Sequence, residues 1–332
     1  MRDLFPLRRS SVDKYGWYGI DSILHFPCRY PLSLATFSIA WLLLVLFITL
    51  LLNILLVTAI SISRSNFTST FFKLLRLLSL LLMFHSIISI LLKTLPSFFH
   101  ISFLYQNNLS LCIDLFSRYL AILLIFILAL NRFCVLVVSR LEELLFLGLR
   151  VIVLPCISVL IAAGLTVMVI KWCEMERTYV DWLGFVDSVK SPDLYVVRST
   201  IIGHCFLLFP ILSLLLHIVI FVWMKKSNAQ TSKSPLVKKA ERRMCVQVFL
   251  TALCEVVFIG SFTVLNFFVA NKSDLYFITS FYNIISSVPE LLIPAFILFS
   301  TKGMLDSFKR IFVKERSNVM KLVSTSTHTE TS

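Results

Sequence analysis

The chain has 332 residues, of which 58% are hydrophobic and only 15% charged, with a mean hydropathy of +0.89. A soluble domain is roughly 45–50% apolar and about 25% charged, so a soluble protein is excluded and the polar residues must gather in loops between membrane spans. The net charge of +13 marks, in so apolar a chain, loops beside anionic lipid rather than a surface for nucleic acid.

Residues 1–33 carry Arg2, Arg8, Arg9, Lys14 and Arg29 but lack the short apolar core and small-residue cleavage site of a removable leader. The first span is therefore expected to serve as its own signal. Seven runs are long and apolar enough to cross a hydrocarbon core as a helix of about 20 residues. They are Leu34–Ser63, Phe71–Leu95, Leu109–Val138, Val151–Trp172, Ser199–Met224, Met244–Ala270 and Leu275–Ser300. Arg76 and Lys93 sit near the ends of the second, and Asp114 and Arg118 interrupt the third. The runs are continuous, which excludes a β-barrel built from alternating segments of about ten residues. With no composition shift and no internal repeat, residues 34–300 read as one all-α, seven-helix bundle. The 30 Phe residues suit lipid-facing bulk, and the eight scattered Cys show no CxxC pair or metal-ligand spacing. Neither a metal nor a cofactor is implied.

Seven spans put the termini on opposite sides. With the N-terminus outside, the inner segments hold 17 Lys and Arg against 10 in the outer ones, as the positive-inside bias requires. Residues 1–33 are then extracellular and 301–332 cytosolic. The basic N-terminal segment argues the other way, and an inverted bundle, as in insect odorant receptors, is the competing orientation. In the preferred one Arg132, preceded by Asn131 in "LALNRFCVLVV" (Leu128 to Val138), lies at the inner end of the third span. There it can reach water or a partner instead of lipid.

Ionisable residues inside spans are functional candidates by default. Asp114 and Arg118 stand at i and i+4 on the third span, share a face and can neutralise each other. They lie about 21–27 Å above Arg132 at 1.5 Å per residue, where a pocket for a small ligand would open. Glu255 and Glu290 sit near the middle of the sixth and seventh spans. Two carboxylates there can bind a cation, share a proton, meet Arg118, or bond locally to hydroxyls and backbone. His85, His204 and His217 read as packing residues or pocket lining, with His204 kept as a ligand-binding candidate. Trp172 and Trp223 fit an aromatic belt.

On the inner side, "KKSNAQTSKSPLVKKAERR" (Lys225 to Arg243) has seven bases and one acid. It suits a protein partner or anionic inner-leaflet lipid. After the last span, "KGMLDSFKRIF" (Lys302 to Phe312) places Met304, Leu305, Phe308, Ile311 and Phe312 on one face of an amphipathic helix. The polar tail "STSTHTETS" offers hydroxyls for phosphorylation. Sequons at Asn66, Asn108 and Asn271 are weak signals, one cytosolic and two close to the membrane.

"FFKLLRLLSLL" (Phe71 to Leu81), "LALNRF" (Leu128 to Phe133) and "YNIISSVPELLIPAFILFSTKGMLDSFKR" (Tyr282 to Arg310), within this seven-span layout, resemble the nematode serpentine chemoreceptors. These are G-protein-coupled receptors, and the chain looks most like the class gamma superfamily. The resemblance implies a small-molecule or peptide ligand, a heterotrimeric G protein and a plasma-membrane location in a sensory neuron. It implies that Asn131 and Arg132, standing where rhodopsin-like receptors have Asp-Arg-Tyr, couple to the G protein together with Lys238, Lys239, Arg242 and Arg243. Of the rhodopsin-like Asn-Pro-x-x-Tyr only Pro294 carries over, as a helix kink. A disulfide between Cys112 and Cys173 is implied as well. The rival reading is a transporter or channel using Asp114, Arg118, Glu255 and Glu290 as a polar path, although no repeated half or paired broken helices are present. Enzyme motifs such as a Gly-rich phosphate loop, HExxH or GxSxG are absent from the sequence.

Overall fold

The computed structural model describes residues 32–62, 69–99, 106–148, 150–180, 184–189, 192–228 and 290–298, with a few isolated positions between 246 and 260. The N-terminal segment, most of the sixth span, the first part of the seventh, the amphipathic segment after it, and Glu255, Lys238, Lys239, Arg242 and Arg243 lie outside the described residues.

The first span is α1 (Leu32–Ile62), whose unbroken apolar sequence lets it pack on one side and face lipid on the other. The second span is compound. Helix α2 (Thr70–Ser89) passes into a π turn (Ile90–Thr94) and then α3 (Leu95–Phe99). Pro96 in α3 has no N–H to donate to the preceding turn, and Thr94 Oγ1 bonds back to the Ser89 carbonyl at 3.2 Å. The third span is α4 (Gln106–Leu136), followed by the short α5 (Ser139–Phe146). Helix α5 was not expected: Leu141, Leu145 and Phe146 of "SRLEELLF" pack into the core, and Gly148, at φ +63°, ends the segment as only glycine does readily. The fourth span is α6 (Arg150–Trp172), which contains Pro155.

Between α6 and the fifth span, an antiparallel hairpin, β1 (Met175–Val180) and β2 (Gly184–Val189), pairs Arg177 with Asp187. This hairpin is an addition to the all-α expectation. The fifth span, α7 (Pro192–Asn228), starts earlier than its hydropathy suggests and contains Pro210. Residues 290–298 are helical and belong to the seventh span, with Pro294 buried inside them.

Five described helices are long and apolar enough to cross a membrane, over Ile39–Ile62, Thr70–Ser97, Asn108–Leu136, Arg150–Trp172 and Ile201–Met224. Helix α4 is the central one. It packs against α2, α6 and α7, and 61% of its apolar stretch is buried against 22% for α6. Lipid tails are as apolar as leucine, so close packing rather than burial from water drives this association. Tyr119 of α4 meets Phe206 of α7 edge-on at 4.7 Å, and Phe126 meets Phe209 at 5.6 Å. Replacing Phe206 by Ala should destabilise the bundle by about 3 kcal/mol, read as a lower melting temperature of the purified protein in detergent. An equal loss from replacing exposed Leu208 would show that the seam is not special.

Candidate functional site

At the hairpin end of the bundle five charged side chains and the imidazole of His85, from six elements, meet. Asp114 of α4 is their hub. Its Oδ2 accepts from Arg177 Nη1 at 2.6 Å and faces Lys93 Nζ at 3.5 Å, while its Oδ1 lies 3.2 Å from His85 Nε2 and accepts from Ser89 Oγ at 3.3 Å. The other ring nitrogen of His85, Nδ1, is 3.1 Å from Glu290 Oε2. Arg177 also grips Asp187 across the hairpin through Nε at 2.6 Å and Nη2 at 3.1 Å, and donates to Ser110 Oγ at 3.3 Å.

Local structure explains the convergence. Ser110 and Asp114 are one helical turn apart on α4, so a single guanidinium reaches both. On α2, a straight α-helix would leave Lys93 about 80° around the axis from His85, at eight residues and 100° each. The wider π turn underwinds the chain and returns Lys93 to the face of His85, which is how a π bulge re-aims side chains. Glu174, at φ 53°, turns the chain out of α6 so that β1 runs back over α4. Burial opposes the charge of Arg177, but Asp187 and Asp114 outweigh it and hold the guanidinium above its ordinary value, so Arg177 stays a cation.

Several sequence expectations change. Asp114 meets Lys93 of the π turn, Arg177 of β1 and the imidazole of His85, and Arg118, half-buried, stands one turn further along the same helix. Glu290 does join the site, through His85. His204 does not, because α7 turns Ile202, Phe206, Pro210, Ser213, His217, Ile220 and Met224 inward. His204, two residues from both Ile202 and Phe206, is on the opposite, exposed side. The Cys112–Cys173 bridge implied by resemblance is not formed. Both are free thiols, with Cys173 buried beside Val169 and Ile202 and Cys112 exposed. Cys112 lies two residues from both Ser110 and Asp114, about 200° round the helix from the face that meets the hairpin. The ionic clamp from Arg177 to Asp114 and Ser110 ties the hairpin to α4 instead.

His85, Lys93, Arg177 and Asp187 were not among the expected site residues. Lys93 showed only as a charge near a span end, His85 as one of three isolated histidines, and the other two as ordinary loop charges. The faint signal was the unlikelihood of leaving Asp114 uncompensated in a membrane span.

At the other end of α4, Asn131 is wholly buried with neither amide atom hydrogen-bonded among the described residues. The Arg132 guanidinium carbon stands 3.6 Å over the ring of Phe71, at the start of α2, a close cation–π contact. Pro294 lies in the helical segment 290–298, whose Ile293, Ile297 and Leu298 join the main core.

A helical bundle centred on its third span, with the end of a seventh packed into the same core, defines a seven-transmembrane receptor fold. The family model for the serpentine type 7TM GPCR chemoreceptor Srv matches residues 37–313, and the chain belongs to that family of nematode chemoreceptors. None of the curated proteins compared with the chain matches it.

Replacing Arg177 by Gln leaves Asp114 and Asp187 without their shared cation and should cost about 3 kcal/mol. Thermal unfolding measures the loss, and hydrogen exchange should rise first in residues 175–189. Burial pushes the Cys173 thiol up, with Arg198 acting against it. At neutral pH Cys112 should therefore alkylate readily and Cys173 only after unfolding, and a reductant should leave the melting temperature unchanged.

Proposed function

We propose that this chain is a G-protein-coupled chemosensory receptor of the plasma membrane of a sensory neuron, with its N-terminus and hairpin outside. A small-molecule or peptide ligand binds at the hairpin end, where Asp114, Glu290 and Arg118 supply polar contacts in an apolar bundle. The G protein binds at the opposite end through Asn131 and Arg132, with Lys238, Lys239, Arg242 and Arg243 of the basic segment nearby. That segment also lies against anionic inner-leaflet lipid.

The observation that carries this reading is that one central helix bears both functional ends. Asp114 and Arg132 are 18 residues apart on α4, about 27 Å, so any rearrangement at the ionic hub shifts the helix that holds Arg132. The Phe71 ring is a resting partner of Arg132, where rhodopsin-like receptors use a carboxylate. A cation–π contact contributes about 0.5–2 kcal/mol, enough to bias a two-state equilibrium and weak enough for a ligand to overcome. The Asn131 amide, buried with no hydrogen-bond partner among the described residues, would recover about 1–3 kcal/mol in a rearrangement that gives it one.

The mechanism is a population shift. Ligand favours a state in which the ends of the fifth and sixth spans remote from the hairpin move, and Arg132 leaves Phe71 for the G protein. Among the described residues the charges at the hairpin end are paired with one another, which weighs against a transporter or channel.

Replacing Phe71 by Leu should raise basal G-protein activation about three- to tenfold, the range expected from losing roughly 1 kcal/mol of resting-state contact. Replacing Arg132 by Ala should abolish agonist-driven activation at unchanged surface expression. A receptor assay in cells expressing the full chain measures both. Unaltered basal and driven activity in the two variants would sink the coupling role, and ion currents or uptake without G protein would favour the rival class.

A further inference from the structure

The imidazole of His85 is held between two carboxylates, Glu290 at 3.1 Å from Nδ1 and Asp114 at 3.2 Å from Nε2. A carboxylate only accepts hydrogen bonds, whereas a neutral imidazole donates from one nitrogen and presents a lone pair on the other. Two carboxylates on opposite ring nitrogens therefore need two protons between them. Ser89 does not resolve this: its one hydroxyl proton serves either Nε2 or Asp114 Oδ1, and given to Nε2 it would still leave acceptor lone pairs of Nε2 and Oδ1 facing each other at 3.2 Å. Imidazole is ordinarily a far stronger base than a carboxylate, at pKa about 6.5 against about 4, so the second proton belongs on the ring.

We infer that His85 is a proton-binding site, and that its imidazolium is the cross-link joining the second, third and seventh spans. The groups around it support one exchangeable charge. Lys93 from the π turn and Arg177 from β1 are both directed to Asp114. Asp187 of β2 lies on the far side of Arg177, and Arg118 of α4 stands one turn beyond Asp114. Asp114 thus keeps two other cations when His85 loses its proton. Glu290 would then face a bare nitrogen or a neutral N–H instead of a cation. The contact that depends on the proton is the one between the second and seventh spans. Proton loss loosens that contact and leaves the hairpin clamp intact, so the proton acts as a ligand that holds the seventh span in place.

The proton site rests on geometry alone; only its consequence for signalling depends on the receptor reading. The test therefore uses no signalling. The full chain, labelled with ¹⁵N-histidine and reconstituted in lipid nanodiscs, is examined by NMR from about pH 5 to about pH 10, a range wide enough for a histidine moved a few units either way. The His85 resonances are those absent from His85→Gln and perturbed in Glu290→Gln, so assignment survives if one variant fails to fold. Both ring nitrogens should appear protonated at neutral pH. One should become unprotonated as pH rises, and this loss should come at lower pH in Glu290→Gln. Wild-type melting temperature should fall through the same transition, since the contact needs the proton and is lost as pH rises, while Glu290→Gln shows a smaller fall. A strongly downfield, unprotonated His85 nitrogen at neutral pH in the wild type would overturn the proposal, as would identical titration or identical pH-dependent melting in wild type and Glu290→Gln.

Discussion

A carboxylate placed inside a membrane span must be compensated by protein, because no water or lipid there will do so, and the hairpin end of this bundle is organised around that requirement at Asp114. Three cationic groups come to it from three different elements, each brought by a separate local device. A π turn aims Lys93, a left-handed Glu174 aims the hairpin and with it Arg177, and the regular pitch of α2 places His85 and Ser89 on one face. No two of these elements are held by Asp114 alone, but all of them are registered against it. Removing the acid would leave three cations close together with one fewer anion.

The two ends of α4 manage charge differently. At the hairpin end the cations meet carboxylates in a dense set of short contacts. At the other end Arg132 lies over an aromatic face, and its neighbour Asn131 is buried without hydrogen bonds among the described residues. The first arrangement is strong and geometrically specific, because buried ion pairs tolerate little displacement. The second is soft, since a guanidinium can slide across or off a ring for a modest change in energy. A tightly paired hub at one end of a central helix and a cation stacked on an aromatic ring at the other suit a molecule that changes state at one end in response to contacts at the other.

The all-α bundle and its spans were legible in the sequence because hydropathy over twenty residues is a strong, local signal. The described spans follow the predicted limits closely, and α7 departs mainly by continuing as helix beyond the apolar run, toward Pro192. Asp114 and Glu290 were legible as candidates for the same reason, as charges where charge is expensive. Their partners were not. Nothing in the local sequence links Arg177 to Asp114, 63 positions away, and the underwound turn that returns Lys93 to the His85 face leaves no mark in an apolar stretch reading "ILLKT". The exposed side of α7 on which His204 lies was not legible, because a hydropathic run gives a helix but not its rotation. The spacing of Ser213 and His217 with Phe206 and Pro210 fixes that rotation only once the neighbouring helix is known. The implied disulfide failed on rotation too, as Cys112 is on the wrong side of α4.

The π turn at Ile90–Thr94 holds one residue more than ordinary α-helical pitch needs to bring Lys93 back to the face of His85. With one residue removed, the segment would relax to that pitch, and Lys93, then seven residues from His85 at about 100° each, would stand about 20° from the same face. In an unbroken helix the extra residue would instead turn Lys93 about 80° away. Local underwinding thus absorbs a change in length, and the direction of the charge survives it.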